Sequence, residues 1–340
     1  MDAIVFHEFG GQEKLKFEKV PDPILGAYDV LVRVKACAMN HLDIWVREGM
    51  SPLPMPHVLG SDVSGVIADV GSEVKEWEVG DSVLISPGIS CGCCEMCLKG
   101  EDNLCPEYTI LGKKPWGGYA EFVKIPHQNL LPYPQGLNFQ EAAAIPLTFL
   151  TVWQMLVRKA KIKPGDVILV LAAGSGIGVA AIQVAKLFQA TVIAAASTDE
   201  KLEKAKGLGA DLLINYAKHD FSEEVKKITN KRGVDIVVEH TGAATWEKSL
   251  LSAKWGGTVV TCGATSGHEG KTDLRHVYFR QLKILGATMG SKGDLFEILR
   301  WVERGKLKPV VDQAIPLKEA PSGHQKMAER KQFGKIVLVP

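Results

Sequence analysis

Five of the seven cysteines in this chain lie within the fifteen residues CGCCEMCLKGEDNLC, from Cys91 to Cys105. Four of them, Cys91, Cys94, Cys97 and Cys105, are separated by two, two and seven residues. Thiolates two residues apart on a turning loop can converge on one ion, and a tetrahedral zinc accepts four sulfurs at about 2.3 Å. The spacing therefore predicts a metal site, with disulfides or unrelated thiols as the alternatives. Cys93 falls outside this spacing and is not expected to be a ligand.

Four thiolates fill the coordination shell of a tetrahedral metal ion, so such a site has no position open for water or an alcohol. The predicted metal would therefore brace the loop and take no part in a reaction. Four cysteine sulfurs also suit an iron–sulfur cluster, and the spacing alone leaves both identities open.

A second stretch with chemical meaning is LAAGSGIG, between the apolar segment DVILVLA and the helical pattern VAAIQVAKL. A glycine-rich turn between a strand and a helix exposes backbone N–H groups, and the helix N-terminus can bind a pyrophosphate. An ordinary tight turn has a similar sequence, but the flanking strand and helix favour a dinucleotide site. The predicted phosphate-binding residues are Gly174, Ser175, Gly176, Ile177 and Gly178.

The end of the next strand decides between NAD(H) and NADP(H), because an acidic residue there binds the ribose 2′-hydroxyl and repels a 2′-phosphate. That position falls at or near Ala196, which Ser197 follows, and Lys201 opens the next helix. A small neutral residue, a hydroxyl and a lysine favour NADP(H). Asp199 and Glu200 lie nearby, so NAD(H) stays an alternative, and Lys201 has an alternative as a solvated helix residue.

The elements that must position these residues differ between the two halves of the chain. Residues 1 to about 148 contain short alternating segments such as DVLVRVKACAMN, punctuated by glycine and proline, which are typical of strands. Near Phe139 a helical segment begins, and apolar strands then alternate with helices, which predicts a parallel, doubly wound sheet. A length of 340 residues also favours two domains.

Composition excludes several classes of function. Hydrophobic residues make up 46% of the chain, charged residues 23%, and the formal net charge is +1. These values predict a globular protein with no affinity for nucleic acid or membranes. Met1 is followed directly by DAIVF, without the pattern of a secretory signal. We therefore expect a cytoplasmic protein, and reduced cytoplasmic thiols argue against disulfides.

The motifs together resemble the medium-chain dehydrogenase/reductase superfamily over nearly the whole chain. The resemblance rests on VKACAMNHLDIW, PHVLGSDVSGVI, the four-cysteine segment, AAAIPLTFLTVW and LAAGSGIG. It implies an α/β fold with a GroES-like, β-rich catalytic domain over residues 1–148, whose structural-zinc lobe lies at about 91–105. A Rossmann NADP(H)-binding domain over 149–288 and a segment over 289–340 that returns to the catalytic domain would complete it. The resemblance also favours zinc over an iron–sulfur cluster, with one zinc per chain.

The same resemblance shows that the ligands of the family's catalytic zinc are replaced. The zinc-binding cysteine falls at Asn40, the zinc-binding histidine at Ser61, and the third ligand, a cysteine, near Leu147. Leu42 takes the place of the threonine that relays the alcohol proton. An amide, a hydroxyl and an alkyl group do not bind zinc in a cytosol. The segments NHLDIW, GSD and AAAIPLTFLT instead resemble the quinone oxidoreductases, which have no active-site zinc and use NADPH.

The sequence therefore predicts an NADPH-dependent reductase of quinones, enones or enoyl thioesters. The expected catalytic residues are Asn40, whose amide would stabilise an enolate, with Asp43 and Ser61. Helix capping and turn bonding are the alternatives for Asn40 and Asp43. The further cofactor-binding residues that the family resemblance implies are Thr151, Ser197, Lys201, Tyr216, Thr241 and Gly263.

Two other functions stay open at the level of the sequence. One is an alcohol or aldehyde dehydrogenase with a relocated catalytic metal, for which Cys37, His41, His57 and Asp62 are near one another in the chain. The other is an NADPH-binding structural or sensor protein with little turnover. The apolar segment KILGATMG would be the edge strand of the doubly wound sheet. Because this edge pairs with its symmetry mate in the family, we expect a homodimer or homotetramer.

Overall fold

The structure is a computed structural model that describes all 340 residues. It contains two compact units: unit 1 comprises residues 1–147, 291–304 and 309–340, and unit 2 comprises residues 148–290 and 305–308. The predicted domain boundaries follow residues 148 and 288, and the chain passes between the units after residues 147 and 290. The assignment of residues 305–308 to unit 2 was not predicted. No helix has both the length and the apolar character that crossing a membrane requires.

The elements of the first 153 residues are mostly short strands. The strands are β1 (Asp2–Phe6), β2 (Lys16–Lys19), β3 (Asp29–Ala38), β4 (His57–Val58), β5 (Asp62–Val70), β6 (Ser82–Ile85), β7 (Gly88–Ile89), β8 (Thr109–Ile110), β9 (Phe122–Pro126) and β10 (Leu130–Pro132). The helices are α1 (His41–Arg47), α2 (Glu95–Leu98), α3 (Phe139–Ala143) and α4 (Pro146–Trp153).

The rest of the chain alternates between strands and helices. The strands are β11 (Val167–Val170), β12 (Thr191–Ala196), β13 (Leu212–Asn215), β14 (Val234–Glu239), β15 (Ala253–Thr261), β16 (Lys283–Gly286), β17 (Val311–Pro316) and β18 (Lys335–Val339). The helices are α5 (Gly176–Leu187), α6 (Asp199–Gly207), α7 (Phe221–Ile228), α8 (Trp246–Ser252), α9 (Leu274–Phe279), α10 (Lys292–Glu303) and α11 (Ala320–Ala328).

Unit 1 is built on a seven-stranded sheet with the order β10-β6-β5-β3-β18-β17, in which β9 also pairs with β3. Along β3, buried valines alternate with exposed Arg33 and Lys35, so one face of the strand covers the core. The C-terminal strand β18 pairs antiparallel with the end of β3, where Leu338 lies opposite Cys37. The C-terminal segment therefore returns to the first unit, and Lys335, the first residue of β18, enters this sheet.

Unit 2 contains a six-stranded parallel sheet with the order β13-β12-β11-β14-β15-β16. Its central strands are buried on both faces, and β14 is buried along its whole length. The chain runs outward from β11 to β13 and then returns to β14 on the other side of β11. Ligands bind at the carboxyl ends of the strands at such a reversal. The predicted fold class, with a doubly wound parallel sheet, is confirmed.

Candidate functional site

The four cysteines Cys91, Cys94, Cys97 and Cys105 of unit 1 converge on one point. The Sγ separations are 3.9 Å for Cys91–Cys97, 3.6 Å for Cys94–Cys97 and 3.5 Å for Cys91–Cys105, and all four ligand atoms lie within 4.8 Å of one another. Sulfurs bound at about 2.3 Å around a tetrahedral zinc stand about 3.8 Å apart. The geometry therefore fits zinc, whereas Cys93 is exposed and outside the group.

Hydrogen bonds from buried polar groups tie this cysteine lobe to the rest of unit 1. The Asp102 carboxylate accepts the N–H of Lys292, the first residue of α10, at 2.9 Å. The Asn129 amide donates to the carbonyl oxygens of Ser86 and Gly88 at 2.8 and 2.6 Å. These hydrogen bonds hold the ends of the cysteine lobe against the rest of unit 1, and the four sulfurs lie at the centre of the lobe.

A buried lysine lies beside the N-terminus of α1. Lys335 Nζ is 2.6 Å from Asn40 Oδ1 and 3.0 Å from Asp62 Oδ2. Only 4% of the lysine side chain and none of the aspartate side chain is exposed. Asn40 Nδ2 donates to the same Asp62 oxygen at 3.0 Å. Because an ammonium only donates and a carboxylate only accepts, these contacts fix the orientation of the Asn40 amide.

The other Asp62 oxygen accepts the backbone N–H of Leu147 at 2.8 Å. Asp62 therefore connects Asn40, Lys335 and Leu147. Ser61 is fully buried, and its hydroxyl donates to the Leu111 carbonyl oxygen at 2.7 Å. Asn40 and Ser61 were predicted to donate hydrogen bonds to a substrate. In the structure, the Ser61 hydroxyl and the Asn40 N–H with the shorter hydrogen bond donate to protein acceptors.

Asp43 caps α1 from inside the protein. Its Oδ2 accepts the Asn40 N–H at 2.7 Å and the Tyr119 hydroxyl at 2.9 Å, and the residue is buried. Burial raises the pKa of Asp43 to about 6, although both hydrogen bonds lower it. Asp43 therefore has the position of a helix-capping residue, the alternative to a catalytic role. Its carboxylate holds Asn40, the residue before α1, in place.

A chain of buried side chains leads to Asp43 from the C-terminal segment. Arg47 Nη1 lies 3.0 Å from His324 Nδ1, and Tyr119 Oη lies 3.3 Å from His324 Nε2. Burial, and then the Arg47 and His41 charges, lower the pKa of His324 to about 3, so the ring is neutral. Since arginine only donates, the ring proton is on Nε2 and the chain of donors runs from Arg47 to the Asp43 carboxylate.

In unit 2 the glycine-rich turn has the form that a pyrophosphate requires. Ser175 caps α5 by accepting the Gly178 N–H at 2.9 Å. The N–H groups of Gly176 and Ile177, in the first turn of α5, have no acceptor within the helix. A Cβ at position 178 would stand 2.5 Å from the Ala172 carbonyl oxygen, so only glycine allows this close approach of helix and strand.

Of the other predicted nucleotide-binding residues, Thr241 and Gly263 follow the central strands β14 and β15, and Thr151 lies in a helix. His240, directly after β14, places Nε2 2.9 Å from the Ser175 hydroxyl. The next residue, Thr241, donates its N–H to Glu239 Oε1 at 2.7 Å. Gly263 follows β15. Thr151 is buried in α4.

The residues predicted to select the nucleotide meet at the carboxyl ends of β12 and β13. Ser197 follows β12, and Thr198 caps α6 by accepting the Lys201 N–H at 3.3 Å. The Tyr216 N–H donates to the Ala196 carbonyl oxygen at 3.1 Å. Hence Tyr216 joins Ala196, Ser197 and Lys201 at the carboxyl ends of these two strands.

The nearest acidic residue at this edge is engaged within the protein. Asp199 accepts hydrogen bonds from Lys218 Nζ at 2.6 Å and Asn215 Nδ2 at 2.7 Å. The hydrogen bond from Lys218, and then that from Asn215, lowers the pKa of Asp199. Its negative charge is therefore partly compensated by the lysine.

Two family models match the chain: "Alcohol dehydrogenase GroES-like domain" over residues 26–135 and "Zinc-binding dehydrogenase" over residues 176–304. The chain belongs to the medium-chain dehydrogenase/reductase superfamily. It is therefore an NAD(P)-dependent oxidoreductase. The predicted family and enzyme class are confirmed.

Relatives of this dehydrogenase/reductase include both alcohol dehydrogenases and enoyl-thioester reductases. An alcohol dehydrogenase of Schizosaccharomyces pombe is 33% identical over 99% of this chain and 97% of its own length. An acryloyl-coenzyme A reductase of Sulfurisphaera tokodaii is 32% identical over the whole of both chains. A crystal structure of an NAD-dependent alcohol dehydrogenase is 54% identical with a TM-score of 0.97, again over 100% of both chains.

The side chains considered for a relocated metal have other surroundings in this dehydrogenase/reductase. Cys37 is fully buried in β3, and burial raises the pKa of its thiol well above the usual range. His57 Nε2 is 3.0 Å from the Gly112 carbonyl oxygen, and His41 packs against Trp45 with ring centroids 4.9 Å apart. The cysteine lobe is the one group of three or more His, Cys, Asp or Glu side chains whose ligand atoms converge.

Three residues around α1 were not predicted from the sequence. The sequence could have indicated Lys335, because a lysine at the start of the apolar strand KIVLV requires either a buried partner or an exposed position. Nothing in the sequence indicates Tyr119 or His324, since neither belongs to a motif. Tyr119 is 76 residues from its partner Asp43, and His324 is 277 residues from its partner Arg47.

Proposed function

We propose that this dehydrogenase/reductase uses NADPH to reduce a quinone, or the activated C=C bond of an enone or an enoyl thioester, without a catalytic metal. The observation that carries the proposal is the Lys335 ammonium bound by Asn40 and Asp62. By family resemblance, Asn40 stands where a zinc-binding cysteine would stand. A second cation beside this ammonium would be repelled, and the amide and carboxylate oxygens are already engaged.

The chemistry follows from what the site lacks and what it contains. Oxidation of an unactivated alcohol needs help in forming the alkoxide, which a Lewis acid gives. Reduction of a C=C bond conjugated to a carbonyl instead places negative charge on the carbonyl oxygen, which hydrogen-bond donors can stabilise. Bound NADPH supplies the hydride. The relative named acryloyl-coenzyme A reductase supports enoyl thioesters as one substrate class.

The cysteine lobe is proposed to bind one structural zinc per chain through Cys91, Cys94, Cys97 and Cys105. The four thiolates would close its coordination shell, so this zinc would stabilise the lobe and stay outside the reaction. The site requires reduced cysteines, which the cytoplasm, the location predicted from the sequence, provides.

A preference for NADPH over NADH is proposed from Ala196, Ser197, Lys201 and Tyr216 at the ends of β12 and β13. The compensation of Asp199 by Lys218 supports it, because an uncompensated carboxylate would repel a 2′-phosphate. The paired dissociation constants of NADPH and NADH test this preference. Binding of NADH as tight as that of NADPH contradicts it.

A homodimer or homotetramer is proposed from the edge of the unit 2 sheet. Strand β16 pairs only with β15 and is exposed on its other side. Large apolar side chains near this edge are exposed, namely Trp255, Leu274, Tyr278, Phe279 and Ile284. Pairing of two β16 edges would satisfy the backbone groups and cover these side chains.

The experiment that tests the proposed function measures turnover and metal content together. Purified protein should contain one zinc per chain and oxidise NADPH with 2-cyclohexenone, crotonyl-coenzyme A or a benzoquinone faster than it reduces NADP⁺ or NAD⁺ with primary alcohols. Alcohol oxidation that a chelator abolishes would favour the dehydrogenase with a relocated metal. Tight NADPH binding without turnover of any of these substrates would favour the structural or sensor protein.

A further inference from the structure

The buried Lys335 ammonium has more donors than protein acceptors. An ammonium carries three N–H groups, and two of them point to Asn40 Oδ1 and Asp62 Oδ2. The third has no protein acceptor, although only 4% of the side chain is exposed. A buried donor without a partner is costly, so a ligand atom that accepts this hydrogen bond would be bound favourably.

The neighbouring donors are committed to the protein. The Ser61 hydroxyl donates to Leu111, and one Asn40 N–H donates to Asp62. The remaining Asn40 N–H lies toward the Ala38 carbonyl oxygen at 3.4 Å. Lys335 therefore offers the strongest uncommitted donor of this group, and it carries a full positive charge. Its position is fixed, because Lys335 begins a strand whose two neighbours are β3 and β17.

We propose that the third N–H of Lys335 binds the carbonyl oxygen of the substrate and stabilises the negative charge that develops there, which makes Lys335 a catalytic residue. This inference rests on the proposed function. In this proposal a lysine of the chain itself supplies the positive charge that, by family resemblance, a catalytic zinc would supply. Asn40 and Asp62 then act as positioning residues that hold the ammonium.

The reaction step balances with NADPH as the hydride donor and water as the proton donor, which leaves hydroxide. Hydride from NADPH forms a C–H bond at the β-carbon, the C=C π pair moves to form a double bond between the α-carbon and the carbonyl carbon, and the C=O π pair moves to the oxygen. The resulting enolate oxygen accepts the hydrogen bond from Lys335, which keeps its proton. A proton from water then adds to the α-carbon and the C=O bond re-forms, giving NADP⁺ and the saturated product.

The test is the substitution Lys335→Met, which keeps the length of the side chain and removes its charge and donors. We expect kcat for 2-cyclohexenone or crotonyl-coenzyme A at saturating NADPH to fall about 10²–10³-fold, the usual effect of losing an oxyanion donor. The NADPH dissociation constant should stay within about 3-fold. Lys335→Arg, which keeps the charge, should recover part of the loss.

Lys326→Met is the matched control. Lys326 Nζ also binds one aspartate and one side-chain amide, Asp312 Oδ2 at 2.6 Å and Gln313 Oε1 at 2.8 Å. Its removal should leave kcat unchanged. Because Lys335→Met leaves the buried Asp62 without its cation, the double variant Asp62→Asn/Lys335→Met, which removes both charges, provides a second protein for the same assay.

The outcomes separate this inference from its alternatives. An active wild type with a Lys335→Met or double variant of equal kcat overturns it. So does a large rise in the NADPH dissociation constant with unchanged kcat, which would assign the third N–H to a phosphate of the dinucleotide. If the wild type reduces none of the substrates, the proposed function fails and this inference fails with it.

Discussion

The two buried carboxylates beside α1 differ in what compensates their charge. Asp62 faces the Lys335 ammonium and accepts two further hydrogen bonds. Asp43 accepts its hydrogen bonds from a backbone N–H and the Tyr119 hydroxyl, both neutral. Desolvation therefore dominates at Asp43 and raises its pKa to about 6. At the scale of residues, the site contains one paired charge and one carboxylate that is easily protonated.

The first prediction concerns this carboxylate. The folded pKa of Asp43 is about 6, above the value of about 3.9 in an unfolded chain. Between these values the folded state binds more protons, so the contribution of Asp43 to the free energy of unfolding falls as pH rises from about 4 to about 6. The free energy of unfolding of Asp43→Asn should therefore rise relative to that of the wild type, by on the order of 3 kcal/mol across this range.

Denaturant unfolding of both proteins at several pH values measures this difference. Tyr119→Phe removes a hydrogen bond that lowers the pKa of Asp43, so it should move the upper end of the transition to higher pH. The Lys335, Asp62 and Cys37 groups also face Asp43. A difference between wild type and Asp43→Asn that does not change with pH would contradict the prediction.

At the scale of elements, the cysteine lobe has almost no core of its own. Helix α2 has four residues and none of them is buried. Leu98 and Leu104 are exposed. An isolated turn of helix is unstable in water, so little apart from the flanking hydrogen bonds and a metal would hold residues 91–105. The lobe should therefore depend on zinc for its structure.

The second prediction is that Cys97→Ser lowers both zinc content and stability. Loss of one thiolate should weaken zinc binding by more than the ~10–100-fold effect that loss of an outer-shell partner has, and metal binding is coupled to folding of the lobe. Elemental analysis and thermal unfolding measure the two effects. The control is Cys93→Ser, which changes the exposed neighbouring cysteine and should have the zinc content and stability of the wild type. Equal zinc content and stability of the two variants would refute the assignment of Cys97 as a zinc ligand.

Elements whose signal is local were predictable from the sequence, and contacts between distant residues were not. The doubly wound sheet followed from strand–helix periodicity, and the cysteine lobe from its spacing. The partner of Asn40 did not, because Lys335 is 295 residues away. Family resemblance predicted a site residue at position 40, and the pairing of β18 with β3 brings an ammonium to its amide oxygen.

At the scale of the whole molecule, the sheet of unit 2 has two edges of different character. At one edge β13 exposes Leu212. At the other, β16 exposes Ile284, and α9 adds Leu274, Tyr278 and Phe279. The larger apolar surface at the β16 edge is the reason for placing the interface between copies there.

The third prediction tests this interface. The wild type should sediment as a dimer or larger species of 36.9 kDa chains at micromolar concentration. Ile284→Lys puts a charge on the β16 edge and should shift the protein toward monomer. Leu212→Lys makes the same change at the opposite edge, at a side chain of equal exposure, 39% against 40%. A monomeric wild type, or equal effects of the two substitutions, would contradict the assignment.

In the proposed reaction, hydride reaches a C=C carbon of the substrate and not a carbonyl carbon. A single measurement distinguishes these two reactions on one substrate: the position of the label after reduction of 2-cyclohexenone with NADPH deuterated at C4. A site with a lysine cation and no catalytic metal should give cyclohexanone with deuterium on the β-carbon. Cyclohexenol with deuterium on the carbinol carbon would show carbonyl reduction, the chemistry of an alcohol dehydrogenase, and would contradict the account.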